Sequence, residues 1–267
     1  MERVPEYLAK LGLDALEYEA VRGVNIREEK ARLLGEEAEK HGIILSMHAP
    51  YYINLASGKQ EVIDKSVRRL VDALRASEWM HAYVVVFHPG YYKDLGREGS
   101  VRRVIESLRR VLEEASALGI KYPFLGPETT GKTSQVGSIE DIIEICSSTE
   151  RCRPVIDWAH LYARSLGEFL KVSEEAVRVI DLLEKELGRE AISPLHQHFS
   201  RIEYGRGGEK QHHPLNEDEY GPEFSYVCEA LMETGVDSVI ISESPLLDRD
   251  ALVMKEICRE KQDANQA

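Results

Sequence analysis

The chain has 267 residues, 43% of them hydrophobic, enough to bury a sizeable core within one domain. Lys plus Arg number 34 against 47 Asp plus Glu, a formal net charge of −13, so the body repels nucleic acid unless positive charge is gathered at one face or brought in by metal ions. No apolar run approaches the roughly 18 residues of a membrane span, and the opening MERVPEYLAK lacks a hydrophobic signal region, which predicts a soluble, cytosolic chain.

In chain order, PEYLAKLG patterns as a helix and is followed by a series of short, nearly continuous apolar runs, at 14–21, 43–49, 83–89, 123–128, 154–160, 194–200 and 238–244. Runs without strict alternation suit strands buried on both faces, as in a parallel sheet covered by helices. The intervening stretches read as those helices. REEKARLLGEEAEK is a charged, solvated one, while Val67, Leu70, Val71 and Leu74, and then Val101, Val104, Ile105, Leu108, Val111, Leu112, Ala115 and Leu118, keep the spacing of one apolar face. Gly12, Gly42, Gly119 and Gly235 each stand where a helix should end and a strand begin. A repeating helix-Gly-strand unit means β/α architecture in a single domain, with the polar tail from about 261 to 267 expected to fray. Cys146, Cys152, Cys228 and Cys258 form no C-x-x-C pair and are expected as ordinary, mostly buried thiols.

Nearly every apolar run ends in a residue able to hold a metal: Glu19, His48, His88, Glu128, Asp157 with His160, His196 with His198, and Glu243. In a β/α barrel the C-terminal ends of the strands converge on one face, so these imidazoles and carboxylates are expected to meet in a metal cluster. Residues 126–133, GPETTGKT, also satisfy the G-x-x-x-x-G-K-[ST] pattern of a nucleotide-binding loop. That motif needs a helix opening at its Lys-Thr, whereas the next helix start is signalled at Ser138-Ile-Glu-Asp141, a capping-box arrangement. Glu128 would also face the phosphates. No nucleotide cofactor is expected.

Taken together, MHAPYYINLAS (47–57), VVFHPGYY (85–92), GPETTGK (126–132), VIDWAH (155–160), HFSRIEYG (198–205) and ISES (241–244) resemble, in order and spacing, the successive motifs of the endonuclease IV family. The resemblance runs from about residue 10 to 250 and implies a TIM (β/α)8-type barrel and a zinc-dependent apurinic/apyrimidinic endonuclease acting on duplex DNA, with two or three zinc ions. It implies His48 and His88 as ligands of a first zinc, and Glu128 as a bridge to a second completed by Asp157, His198 and Glu243. His160 and His212 would hold a third. Glu128 and Glu243 are the carboxylates it assigns to the reaction. His196 is a residue behind the ligands, a substrate contact or a core histidine.

Tyr51 matches a tyrosine that the family uses near DNA. Arg22, Lys93, Lys132, Arg164, Arg201, Arg206 and Lys210 fall in the loops expected after strands; of these Arg22, Lys132, Arg206 and Lys210 are expected at the DNA. One departure concerns the third site. The family has an Asp two residues before the histidine equivalent to His212; here that position is Lys210, with Glu209 one further back. The site is rebuilt with Glu209, weakened, or absent, and Lys210 alternatively meets a phosphate.

Two rival functions stand beside this one. A xylose-isomerase-like sugar isomerase or epimerase would use Glu128, Asp157, His198 and Glu243 around Mn2+ or Mg2+, but the further histidines His48, His88, His160 and His212 suit a softer cation. A barrel without catalysis, kept as a binding protein, is the second. Finally, seven strand candidates are one short of a closed barrel, and the shortage is at the front. The first strand is expected to be missing, leaving 14–21 and 238–244 as edges open to pairing, through a start set at an internal methionine or a gap closed by the tail or a partner.

Overall fold

The computed structural model describes residues 3–93 and 95–266, which group into two compact units, Met1–Glu128 with Ser134–Arg153, and Thr129–Thr133 with Pro154–Ala267. In the first unit the predicted alternation is realised. Helix α1 (Val4–Leu11) leads to β1 (Ala15–Glu19), α2 (Glu28–His41), β2 (Ile44–His48), α3 (Gln60–Met80), β3 (Val84–Phe87), β4 (Gly90–Tyr91), α4 (Gly96–Ala117), β5 (Phe124–Pro127), β6 (Gln135–Val136) and α5 (Ile139–Ser147). Strands β1, β2, β3 and β5 form a parallel sheet in that order, and β4 and β6 pair as a short antiparallel ribbon. The apolar stripes of α3 and α4 are buried, including Val67, Leu70, Leu74, Val101, Val104 and Leu108. Gly42 closes α2 at φ 69°, where a side chain would be strained, and its N–H caps the last helical turn.

Helix α5 begins at Ile139 with Ser138 as its cap: the Ser138 side chain accepts from the Asp141 N–H while the Asp141 carboxylate accepts from the Ser138 N–H. This is the predicted capping box. Lys132 and Thr133 open no helix, so GPETTGKT lacks the N-terminal amides that would cradle a phosphate.

The second unit contains β7 (Val155–Asp157), α6 (Trp158–Arg164), α7 (Ser173–Leu187), β8 (Leu195–Phe199), β9 (Arg201–Gly205), β10 (Gly208–His213), α8 (Phe224–Thr234), β11 (Ser238–Ser242) and α9 (Asp248–Gln266). Strands β11, β8 and β7 form a parallel sheet in that order, and β9 and β10 an antiparallel hairpin. The sequence pattern predicts loops for Arg201, Arg206 and Lys210; instead Arg201 lies in β9 and Lys210 in β10, with Arg206 at the turn between them. Two further expectations are corrected. Cys228 and Cys258 are joined in a disulfide that ties α8 to α9, with Cα atoms 5.3 Å apart, so they are not free thiols. The tail does not fray at 261: α9 continues to Gln266, and Lys261 pairs with Glu229 at 2.5 Å.

Among the described residues the parallel strands number seven, four in one sheet and three in the other, and the segment before β1 is helical. Strands β1 and β11 end their sheets and are less buried than β2, β3 or β8. No helix among these residues is long and apolar enough to cross a membrane.

Candidate metal centre

Strand register decides which side chains meet in the first unit. Partners across a parallel ladder point to the same face, as do residues two apart along a strand. His48 pairs with Val86, and Val86 with Gly126. His88 and Glu128 stand two residues beyond those partners, and the Glu128 N–H continues the ladder by donating to the Phe87 carbonyl at 3.0 Å. The three therefore share one face at the C-terminal end of the sheet. His48 Nε2 lies 3.2 Å and His88 Nε2 2.9 Å from the same Glu128 oxygen, and one ligand atom from each residue falls within 4.8 Å of the others.

His48 Nδ1 is 2.9 Å from the Ala49 carbonyl, which fixes Nδ1 as the protonated nitrogen and leaves Nε2 facing Glu128. Burial by itself pushes the His48 imidazole down, yet the hydrogen bond to Glu128 and the carboxylates of Glu19, Glu128 and Glu17 raise it to about 10. A buried imidazole so placed marks a position where positive charge is stabilised. A divalent cation would supply that charge with Nε2 deprotonated.

Strand parity orders the second unit in the same way. Asp157 pairs with His198, His198 with Ile241, and Glu243 stands two residues past Ile241. His198 is fully buried with Nδ1 3.2 Å from Glu243 Oε1. Asp157 caps α6, its Oδ1 accepting from the His160 N–H at 2.7 Å, which places His160 on the first turn of that helix. His160 Nδ1 is held 2.9 Å from the Thr129 carbonyl, and His212 Nδ1 2.7 Å from the Ser200 hydroxyl. Both rings are thereby oriented with Nε2 inward, and one ligand atom each from His160, His212 and Glu243 lie within 4.8 Å of one another. His196 is buried on the same face of β8 as His198, their ring centroids 5.2 Å apart.

Mixed imidazole nitrogens and carboxylate oxygens, with the far imidazole nitrogen engaged, are the donor set that zinc takes, so the residues present fit that ion. The orienting groups, the carbonyls of Ala49 and Thr129 and the Ser200 hydroxyl, escape a sequence reading because backbone acceptors carry no residue signature. Glu17, on the same face of β1 as Glu19, was also missed.

Among the expected DNA contacts, Tyr51 is 59% exposed with its ring 6.2 Å from that of His88, and Arg22, Lys132 and Arg206 are exposed. Lys210 is exposed too, with Nζ 2.8 Å from Glu203. Two other basic residues are engaged by the protein's own groups. Arg201 is buried against Asp218 at 3.1 Å and Glu223 at 3.0 Å, and Arg164 donates to the Lys132 carbonyl at 2.6 Å.

The family model described as xylose isomerase-like TIM barrel matches residues 5–258. The chain belongs to the xylose isomerase-like TIM barrel family. A Methanocaldococcus jannaschii protein described as uncharacterized is 38% identical over 249 residues, covering 93% of this chain and 88% of that one. A probable endonuclease 4 of Carboxydothermus hydrogenoformans is 27% identical over 221 residues, covering 81% and 75%. Of solved TIM barrels, endonuclease IV from Thermus thermophilus superposes with a TM-score of 0.75 at 22% identity, covering 97% of this chain and 94% of that one. A D-tagatose 3-epimerase-like protein gives 0.73 at 23%, covering 97% and 92%. At those identities the structural likeness speaks for the barrel fold alone.

Proposed function

We propose that this chain is a zinc-dependent endonuclease that recognises abasic sites in duplex DNA and hydrolyses the phosphodiester 5′ to the lesion, leaving a 3′-hydroxyl. The observation that carries this reading is the number of oriented imidazoles: His48 and His88 stand beside Glu128, His160 and His212 beside Glu243, and three of the four have Nδ1 engaged so that Nε2 is presented. The likeness to relatives called endonuclease 4 supports it.

Zinc ions held by these residues would supply Lewis acidity toward the phosphate and a water acidic enough to ionise near neutral pH. The chain's own groups then have distinct tasks. Glu128 and Glu243 are buried or half-buried carboxylates at strand ends, each beside histidines of its own unit, and each would help hold a metal ion there. Exposed Arg22, Lys132 and Arg206 neutralise the DNA backbone, which the −13 body would otherwise repel. Tyr51, exposed beside His88, offers an aromatic face to an unstacked nucleotide.

The alternative on the same barrel is sugar isomerisation or epimerisation by Glu128, Asp157, His198 and Glu243 with Mn2+ or Mg2+. Elemental analysis of the purified chain together with two assays separates them. Bound zinc and nicking of duplex DNA with a tetrahydrofuran abasic analogue support the endonuclease. Bound manganese and interconversion of ketohexoses, without nicking, would replace it by the epimerase; neither activity would leave a binding protein.

A further inference from the structure

We infer that Glu209 is a metal ligand of this chain, completing a third zinc subsite with His160 and His212, and that a β-bulge at Lys210 is what brings it there. The inference rests on the metal-dependent reading above. It starts from the strand register. In a regular strand Lys210 and His212 would share a face and Glu209 would point the other way. Here Glu209 pairs with Tyr204, Gln211 with Glu203 and His212 with Ile202, so one step along β9 spans two along β10 and Lys210 is the extra residue. Tyr204 and Ile202 are two apart on β9. Their partners Glu209 and His212 therefore share a face.

That face is the one packed on α6, the helix that carries His160: buried Ile202 clusters with Ala159 and Ala163, and the Tyr204 ring lies 5.7 Å from Tyr162. Glu209 Oε2 is 3.6 Å from His160 Nε2, and the His160 and His212 ring centroids are 5.4 Å apart. His160 Nδ1 is already held by the Thr129 carbonyl, so Nε2 is the nitrogen offered to Glu209 and its neighbours. Meanwhile the Lys210 ammonium, which a regular strand would carry into the site, is drawn to Glu203 at 2.8 Å. A cation there would repel a metal; the bulge takes it away and supplies a carboxylate instead.

The unused glycine motif has its role here. A Cβ at Gly131 would lie 2.5 Å from Glu209 Cβ and 2.9 Å from its Oε2, and the Gly131 carbonyl accepts from the Glu209 N–H at 3.0 Å. Gly131 therefore makes the room in which the Glu209 side chain reaches His160.

The test is zinc stoichiometry and affinity, by elemental analysis after dialysis and by competition with a chelating dye, on the full chain and on Glu209→Gln and Lys210→Ala. Loss of an outer partner of a ligand costs about 10- to 100-fold in metal affinity, and loss of a ligand at least that much. The expected result is three zinc ions in the parent and in Lys210→Ala, with the third at least about tenfold weaker in Glu209→Gln while two stay tight. Three equally tight ions in Glu209→Gln would overturn the assignment, as would a parent that holds two. Glu209→Asp should recover part of the third-site affinity, which separates ligation from a packing role. Loss of one zinc in Glu209→Gln from a chain that does not nick abasic DNA would leave Glu209 in place and defeat the proposed function instead.

Discussion

His88 Nε2 lies 2.9 Å from Glu128 Oε2, a pairing between residues forty positions apart that in-register parallel strands bring together. His48 approaches the same oxygen at 3.2 Å. Both imidazoles therefore face one Glu128 oxygen, and Glu128→Gln should release at least one zinc and remove most activity. Gln keeps the shape and one acceptor oxygen, so the far-ultraviolet circular dichroism spectrum should not change. Undiminished cleavage with full metal content would remove Glu128 from the centre.

Lys132→Ala should be silent toward ATP. Lys132 is exposed, and the nearest helix after it begins at Ile139. Isothermal titration should give no ATP binding to either form. Lys132-dependent ATP hydrolysis would reinstate a phosphate-binding loop.

The basic residues should divide into two groups. Arg206 is exposed at the turn of the hairpin, and Arg206→Ala should weaken DNA binding and reduce its salt slope by about one unit. Arg201 is only 7% exposed, and its guanidinium also donates to the Tyr220 carbonyl at 2.5 Å. Arg201→Ala should cost about 2 kcal/mol of stability, the scale of a charged hydrogen bond, and leave the salt slope unchanged. A lowered slope with unchanged stability would move Arg201 to the DNA.

The Cys228–Cys258 disulfide spans 30 residues of sequence. Chain-entropy arguments give about 3 to 4 kcal/mol for a loop of that length. Cys228→Ser, or a strong reductant, should lower the melting temperature by about 10 °C for a chain of this size. Calorimetry with and without reductant checks it, and an identical melting temperature would mean that the bond does not form in solution.

The sequence disclosed those features that depend on local pattern. Parallel strands are buried on both faces, so 43–49 and 83–89 stand out as apolar runs, and the structure places β2 and β3 within them. Ser138 and Asp141 are near neighbours, so their cap was legible as well. What stayed hidden depends on register or on distant partners. Strands β9 and β10 are polar and half exposed and carry no apolar run, and the bulge at Lys210 exists only relative to its partner strand. The Cys228–Cys258 bond joins two helices whose packing no local spacing announces.

Abasic-site cleavage is tested most plainly with an end-labelled duplex carrying one tetrahydrofuran analogue, its products sized on a denaturing gel and extended by a polymerase. The expected result is a single nick 5′ to the analogue, a 3′-hydroxyl that primes extension, loss of activity after a strong chelator and recovery with zinc. An intact duplex in the presence of a zinc-loaded, folded chain would contradict it.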